Sequence, residues 1–339
     1  MERIPDASTR IETIEMHTGG EPVRIVTAGY PEIEGKTILD KRRFAREHLD
    51  RFRRLIMFEP RGHYDMYGVL PVAPDLPGAD MAVLFVHNEG YSTMCGHATI
   101  ALGRYAVDQG IVKPQGDMAQ LNLQCPCGLV RVKVAMEQDK PGTVGFTSVP
   151  AFAFALNRDL VVDGLGRLKI DIGYGGAFYA VIPASAFNLD IRRSRVRDLV
   201  DAADRVTKAA QKQIQLEHPD SPDLAFLYGT ILTDGLSGAR GPSANICVFA
   251  DREVDRSPTG SGVTARIALQ VARNPAAAQE SFEFESVTGA RFAGRVASQE
   301  TCGRFPAVRV EVAGRAYYSG SSVFTVEPDD PLAAGFLLK

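Results

Sequence analysis

Cys95 is a residue of this sequence whose type and position could do chemistry. It lies in the segment STMCGHATIALG, and a helical pattern of apolar residues begins directly after it. The backbone N–H groups in the first turn of a helix have no partner within the helix, and they favour a thiolate over a thiol. Gly96 permits close approach of the backbone, so that its N–H group could bind a carboxylate. Cys95 is therefore a candidate base or nucleophile beside an anion site.

A second helical pattern begins in the same manner in the segment DRSPTGSGVTAR. Thr259 stands at its start, Pro258 shapes the approach, and Gly260 and Gly262 again expose backbone amides. If both helix N-termini face one small-molecule site between two domains, their dipoles act on the same anion. Such a site would stabilise the carboxylate of an amino acid and the charge that develops when the α-proton leaves. The pattern therefore predicts deprotonation at Cα.

The elements that position these residues occur twice along the chain. Gly19-Gly20 recurs as Gly175-Gly176, 156 residues later, and Met94-Cys95-Gly96 recurs as Pro258-Thr259-Gly260, 164 residues later. Two further pairs of strand segments lie between them in the same order, and such collinear matches indicate an internal duplication. We expect two α+β halves, an N-terminal half over residues 1–166 with Cys95 and a C-terminal half over residues 167–339 with Thr259.

Four helices are predicted around these landmarks. The helix after Cys95 is closed by Gly110, and the helix after Thr259 is ended by Asn274-Pro275; these two form the centres of the halves. The stretches Asp40–Leu55 and Arg192–Leu216 also look helical, and their interspersed acidic and basic residues indicate solvated faces.

Composition narrows the class of protein. The 339 residues include 38 basic and 41 acidic side chains, a net charge of −3, which argues against nucleic acid or an anionic membrane as a partner. Five cysteines are an odd number that does not suit a closed disulfide framework, and they favour a reducing, cytoplasmic location. No nucleotide-binding loop or Schiff-base lysine motif occurs, so we expect a small-molecule substrate and no cofactor. A homodimer is compatible with the sequence.

Other residues with chemical potential have simpler explanations. Cys125-Pro126-Cys127, with His63 or His97, would offer metal ligands, but a second cysteine pair is missing, so no metal is expected. Cys247 and Cys302 stand in apolar or turn segments and are expected to be inert. His17 and His63 suit structural roles in turns.

Five segments of this chain resemble a known family. They are MHTGGEPVRIV (16–26), EPRGHYDMYGVL (59–70), MCGHATIALGR (94–104), GYGGAFYA (173–180) and DRSPTGSGVTAR (255–266). They are similar to segments of the family of proline racemase, 4-hydroxyproline epimerase and trans-3-hydroxy-L-proline dehydratase. The resemblance implies a fold like that of diaminopimelate epimerase, with each half a curved, mostly antiparallel sheet or barrel around a central helix. It also implies catalysis without a cofactor, by one cysteine on each face of the substrate ring.

The sequence departs from the racemase pattern at one position. Cys95 matches the first cysteine, but Thr259 stands where racemases have the second. A threonine hydroxyl has a pKa far above that of a thiol and cannot serve as a second base at neutral pH. The Cys/Thr combination resembles that of trans-3-hydroxy-L-proline dehydratases, in which Cys95 would remove the α-proton and loss of water would give Δ1-pyrroline-2-carboxylate.

The resemblance also assigns substrate contacts. His97 and Asp255 match residues that contact the ring nitrogen, and the amides of Gly96, Gly260 and Ser261 match those that bind the carboxylate. Asp255 suits this role because a carboxylate would keep the ring amine protonated, and that charge acidifies the α-carbon.

Two alternatives stay open at this stage. One is a 4-hydroxyproline epimerase or proline racemase, which the absence of the second cysteine disfavours. The other is a non-catalytic small-molecule binding protein of the same fold, in which Cys95 is structural.

Overall fold

The computed structural model describes residues 5–327 and 329–338. In the described part, the strands are β1 Arg10–Thr18, β2 Glu21–Ala28, β3 Tyr67–Val72, β4 Met81–His87, β5 Gly90–Ser92, β6 Met118–Cys125, β7 Gly128–Glu137, β8 Lys140–Thr147, β9 Ala151–Val162, β10 Gly166–Tyr174, β11 Phe178–Pro183, β12 Leu227–Thr233, β13 Ser243–Phe249, β14 Glu253–Asp255, β15 Ser281–Glu285, β16 Arg291–Cys302, β17 Phe305–Gly314 and β18 Ala316–Thr325. The α-helices are α1 Ile38–His48, α2 Asp50–Met57, α3 Gly96–Asp108, α4 Val196–Gln213 and α5 Gly260–Arg273. Short 3-10 helices cover Ala184–Phe187, Pro222–Leu224 and Pro275–Gln279.

The helices predicted after Cys95 and Thr259 are confirmed as α3 and α5. The predicted stretch at 40–55 is two helices, α1 and α2, because the backbone leaves helical geometry at Leu49 (φ −126°, ψ 11°). The stretch at 192–216 is confirmed as α4, which begins four residues later than its predicted start. None of the helices in the described residues has the length and hydropathy that a membrane span requires.

Two compact units make up the chain. The first unit runs to Gly142 and includes the residues from Arg315 onward, and the second unit is Thr143–Gly314. This division differs from the predicted division at residue 166. Strand β9 pairs with β10 and β17, so it belongs to the second unit, whereas β18 pairs with β1 and belongs to the first. The sequence repeats did not indicate this because they cover neither of these two strands.

The first unit is a mixed sheet with a buried helix. The strands follow the order β18, β1, β2, β3, β4, β6 and β7, with parallel pairing between β2 and β3 and between β4 and β6. Helix α3 contacts strands at both ends of this order, β18 and β1 at one end and β6 and β7 at the other. The sheet therefore curves around α3, whose residues 96–103 are all buried.

The second unit is a closed barrel of eight strands. The ring runs β9, β10, β11, β12, β13, β15, β16 and β17, and it closes where Ala307 and Val308 of β17 pair with Phe152 and Ala151 of β9. Helix α5 contacts β9, β10, β11, β16 and β17, and its residues 260–269 are all buried. A helix that is buried all round lies in the core, so α5 is the centre of the barrel.

Both units use the same pairing scheme. Strands β1 to β7 pair with one another in the same order as strands β10 to β16. The parallel pairs β2–β3 and β4–β6 of the first unit correspond to β11–β12 and β13–β15 of the second. The central helix follows the short strand β5 in one unit and β14 in the other. The predicted α+β fold, with a curved sheet or barrel around a central helix in each half, is confirmed.

Candidate active site

Cys95 begins α3 in the first unit, as predicted. Its backbone is extended (φ −144°, ψ 111°), and its Sγ accepts a hydrogen bond from the Ala98 N–H at 3.3 Å. The sulfur thus satisfies one of the amides that the helix itself leaves without a partner. The residue is 4% exposed. Cys95 therefore combines burial with direct contact to the positive end of the helix.

His97 lies against the Cys95 sulfur. Its Nδ1 is 3.1 Å and its Nε2 is 3.5 Å from Sγ. The rings of Tyr67 and His97 pack edge to face with their centroids 4.8 Å apart, and the His97 carbonyl accepts a hydrogen bond from Thr18 Oγ1 at 2.9 Å. The sequence assigned His97 to the substrate's ring nitrogen and gave no sign of this contact with the thiol, because residues two apart along a helix do not normally face each other.

Tyr67, which is in contact with His97, has further contacts of its own. Its hydroxyl is hydrogen-bonded to Ser92 Oγ, and its ring also stacks on His87 with centroids 5.8 Å apart. Tyr67 is buried, and its ring is in contact with both histidines.

Thr259 begins α5 in the second unit, and its geometry differs from that of Cys95. Its backbone has φ +66° and ψ +90°, a conformation that β-branched residues rarely adopt and that costs about 1–3 kcal/mol. Its side chain makes no capping hydrogen bond, and within the described residues its buried Oγ1 has no hydrogen-bond partner. A hydroxyl that is buried without a partner is one that a bound molecule can satisfy.

Asp255 and Ser261 flank Thr259 in the second unit. Asp255 ends β14, is 5% exposed, and accepts a hydrogen bond from the Ser257 N–H at 2.7 Å. Ser261 Oγ is 2.7 Å from the Tyr179 hydroxyl on β11. Gly260 is buried in the first turn of α5. The predicted residues Asp255, Gly260 and Ser261 are thus brought together with Thr259 around one helix start, and Gly96 and His97 are brought together with Cys95 around the other.

Glycine allows the second helix start to pack closely against the Gly175-Gly176 turn. A Cβ on Gly175 would lie 2.1 Å from the Ser261 carbonyl oxygen and 2.6 Å from the Ala265 nitrogen. The GYGG motif therefore positions α5, because backbone of the turn and backbone of the helix are in direct contact.

The other cysteines form no disulfides in the described structure. Cys125 ends β6 and is buried, and burial together with the neighbouring Cys127 raises the pKa of its thiol. Cys247 lies buried within β13, and Cys302 ends β16. Cys125 and Cys127 belong to no cluster of metal-binding side chains in the described residues.

One such cluster, which the sequence did not suggest, occurs in the second unit. His218, Asp220 and Cys302 place one potential ligand atom each within 4.8 Å of the others. The His218 imidazole also packs on the ring of Tyr174, with centroids 4.5 Å apart, and burial lowers its pKa.

Comparisons with known proteins agree with this architecture. Residues 13–337 match the model of the proline racemase family. The chain is 56% identical over 326 residues to the trans-L-3-hydroxyproline dehydratase of Saccoglossus kowalevskii, an alignment that covers 96% of this chain and 100% of that protein. It is 55% identical over 335 residues to the trans-3-hydroxy-L-proline dehydratase of Homo sapiens, covering 97% and 95% of the two chains.

A solved structure shows the same fold. The hydroxyproline epimerase from Agrobacterium vitis, crystallised with bound trans-4-hydroxy-L-proline, superposes with a TM-score of 0.92 at 25% sequence identity, covering 98% of this chain and 95% of that one. Fold, motifs and full-length similarity lead to one conclusion: this chain belongs to the proline racemase family.

Proposed function

We propose that this chain is a trans-3-hydroxy-L-proline dehydratase, a hydro-lyase that forms Δ1-pyrroline-2-carboxylate and water. The observation that carries the proposal is full-length similarity above 50% identity to proteins named for this activity. The presence of Thr259 at the start of α5, where a thiol would be needed for inversion at Cα, supports the same reaction.

The stereochemistry of the substrate allows Cys95 to act alone. In trans-3-hydroxy-L-proline the carboxylate and the hydroxyl are on opposite faces of the ring, so the α-hydrogen and the hydroxyl share a face. The Cys95 thiolate takes the α-proton, the C–H electron pair forms the C2=C3 double bond, and the C3–O bond breaks. The thiol then gives its proton to the departing hydroxide, which leaves as water, and the resulting enamine tautomerises to the cyclic imine.

His97 acts on the sulfur in this scheme. Its ring nitrogen at 3.1 Å donates a hydrogen bond to the thiolate and stabilises the form that accepts the proton. His97 also stays among the residues that we propose to contact the ring nitrogen. The principal partner of the ring ammonium is Asp255, whose carboxylate keeps the nitrogen protonated and thereby acidifies Cα.

The substrate carboxylate is bound by backbone amides of Gly96, Gly260 and Ser261. Each lies in the first turn of a central helix, where N–H groups and the helix dipole favour an anion. When the α-proton leaves, charge spreads onto this carboxylate, so these amides stabilise the transition state. Thr259 borders the ring on the face opposite Cys95 and donates its hydroxyl hydrogen bond to the substrate.

The experiment is an imine assay with o-aminobenzaldehyde on trans-3-hydroxy-L-proline. We expect the wild-type chain to form imine and Cys95→Ser to lose at least about 1,000-fold in kcat, because a serine hydroxyl is a far weaker base. The matched control is Cys127→Ser, the same substitution at a partly exposed cysteine, which should retain activity. An active Cys95→Ser enzyme with native circular dichroism would contradict the mechanism.

The same preparation tests the alternatives from the sequence. Incubation of L-proline or trans-4-hydroxy-L-proline in deuterated water should give no inverted product, whereas inversion would identify a racemase or epimerase. Ligand binding without turnover, unaffected by alkylation of Cys95, would identify a binding protein. The cytoplasmic location, the homodimer and the independence from cofactors stay predictions.

A further inference from the structure

The peptide bond between Pro258 and Thr259 is held from both sides. Its N–H group donates to Ser257 Oγ at 3.1 Å, and its carbonyl oxygen accepts a hydrogen bond from Asn245 Nδ2 at 3.3 Å. The proline ring fixes the preceding φ angle. These contacts hold a peptide whose next residue has the unusual φ of +66°. Such conformations persist where surrounding structure determines them, and they cluster at functional sites.

Asn245 is itself held by Arg266. Asn245 lies on β13, is 1% exposed, and its Oδ1 accepts a hydrogen bond from Arg266 Nη1 at 3.0 Å. This bond fixes which end of the amide faces Pro258, because the oxygen must face the guanidinium and the nitrogen is left to donate. The Asn245 donor is therefore directed at the Pro258 carbonyl.

Arg266 is an unusual residue for a helix in a barrel core. It is 4% exposed, its Nη2 donates to Ser243 Oγ at 2.6 Å and to the Leu236 carbonyl at 3.2 Å, and its guanidinium lies 4.5 Å from the centroid of the Phe284 ring. Burial lowers its pKa to about 10, so it stays a cation at neutral pH. These hydrogen bonds go to neutral oxygens, and the nearby negative charge is that of Asp234, whose carboxylate accepts a hydrogen bond from the same Ser243 hydroxyl at 2.8 Å. The guanidinium is thus held in one orientation against Asn245.

The side chain of Thr259 is also restrained. A Cβ placed on Gly262 would lie 3.0 Å from Thr259 Cγ2 and 2.5 Å from Ile231 Cδ1, so the threonine methyl packs over a bare glycine backbone. Methyl group and backbone are thus both fixed, which leaves one direction for the hydroxyl.

We propose that Asn245 and Arg266 are positioning residues for the dehydration. Arg266 orients the Asn245 amide, Asn245 holds the Pro258 carbonyl, and the peptide held in this way aims the Thr259 hydroxyl and the first amides of α5 at the substrate. This role rests on the proposed function.

The test compares three single variants. Asn245→Asp keeps an acceptor for Arg266 but places a carboxylate oxygen against the Pro258 carbonyl. We expect kcat to fall about 10- to 100-fold, as misplacement by up to about 1 Å does, with a smaller change in KM. Arg266→Lys keeps the charge but loses the planar guanidinium that donates to Asn245, and its kcat should also fall. The control is Asn188→Asp, the same substitution at an exposed position, which should match the wild type.

Two readouts separate positioning from a merely structural role. Rates are divided by the number of active sites titrated by alkylation of Cys95, which removes unfolded protein from the comparison. A double-mutant cycle joins Asn245→Asp to Thr259→Ala, and we expect the double variant to lose less than the product of the two single losses. If Asn245→Asp does not fold, the test is made with Arg266→Lys and with the double-mutant cycle that joins Arg266→Lys to Thr259→Ala.

The positioning role would be overturned if the variants had the kcat of the wild type per titrated site. It would also be overturned if the loss in the double variant equalled the product of the two single losses. Neither result would contradict the proposed dehydratase activity. Absence of imine from the wild type itself would overturn the proposed function, and this role with it.

Discussion

At the residue scale, Cys95 and Thr259 occupy equivalent positions in the two units but differ in backbone conformation and in the contacts of their side chains. Cys95 caps its helix and touches a histidine, whereas Thr259 has a left-handed backbone and a hydroxyl without a protein partner in the described structure. The pattern of the sequence predicted the position of each residue at the start of a central helix. It could not predict the Cys95–His97 contact or the Asn245–Arg266 pair, because both depend on side-chain directions that only the folded chain defines.

Thr259→Cys is expected to add inversion to elimination. A thiol at the start of α5 can protonate the carbanion from the second face, as a threonine hydroxyl cannot. In deuterated water, trans-4-hydroxy-L-proline should then take up deuterium at Cα and give epimer, which NMR and chiral chromatography measure. Thr259→Ser, which keeps a hydroxyl, is the control. Equal amounts of epimer from the wild type and Thr259→Cys would show that the residue at 259 does not determine the outcome.

His97→Gln is expected to slow alkylation of Cys95. A hydrogen bond to a charged group is worth about 1.5–3 kcal/mol, so loss of the imidazole should lower the rate with iodoacetamide at neutral pH by about tenfold or more. The buried His87, which also stacks on Tyr67, provides a comparison variant, His87→Gln. An unchanged rate of alkylation in His97→Gln would contradict the claim that His97 stabilises the Cys95 thiolate.

At the scale of elements, tight backbone contact positions the start of α5. Gly175→Ala would push a methyl group into the Ser261 carbonyl and the Ala265 nitrogen, and backbone cannot yield as a side chain can. We expect a loss of about 1–3 kcal/mol in the free energy of unfolding, measured by urea denaturation, together with reduced kcat. Gly320→Ala, where an added Cβ meets nothing within 4 Å, is the matched control. Equal stability of the two variants would contradict the packing argument.

His218 is expected to make the stability of the barrel depend on pH. Burial among the rings of β9 to β11 lowers its pKa below the ordinary 6.5, so as the pH falls the unfolded chain takes up the proton first. The contribution of neutral His218 to the free energy of unfolding is present above pH 6.5. It is lost as the pH falls through the pKa that His218 has in the folded chain. The unfolding free energy measured between pH 7 and 5 should decrease less steeply in His218→Gln. An unchanged slope would contradict this assignment.

At the scale of the whole molecule, the duplication could be predicted from collinear motifs, and the two central helices followed from their apolar patterns. The unit boundaries could not be predicted. Strands β9 and β18 carry no repeated motif, and their membership is defined by hydrogen-bonded partners, β10 and β17 for one and β1 for the other. Long-range strand pairing of this kind leaves little trace in a single sequence.

Strand β18 is therefore expected to be essential to the first unit, although it lies near the other end of the chain. Truncation after Gly314 would remove all partners of β1 on one side and expose its edge, so we expect insoluble protein. Truncation after Thr325 keeps the whole β1–β18 pairing and should stay folded by circular dichroism. A soluble, active chain ending at Gly314 would contradict the assignment of β18.

The central claim is that one sulfur carries out both proton transfers on one face of the ring. The most direct measurement compares imine formation from trans-3-hydroxy-L-proline and from cis-3-hydroxy-L-proline, in which the α-hydrogen and the hydroxyl lie on opposite faces. We expect elimination from the trans isomer and a kcat/KM at least about 100-fold lower for the cis isomer, because the group that we propose for the second face is the Thr259 hydroxyl, a very weak acid. Equal rates for the two isomers would mean that a separate acid expels the hydroxide, and the single-cysteine mechanism would be wrong.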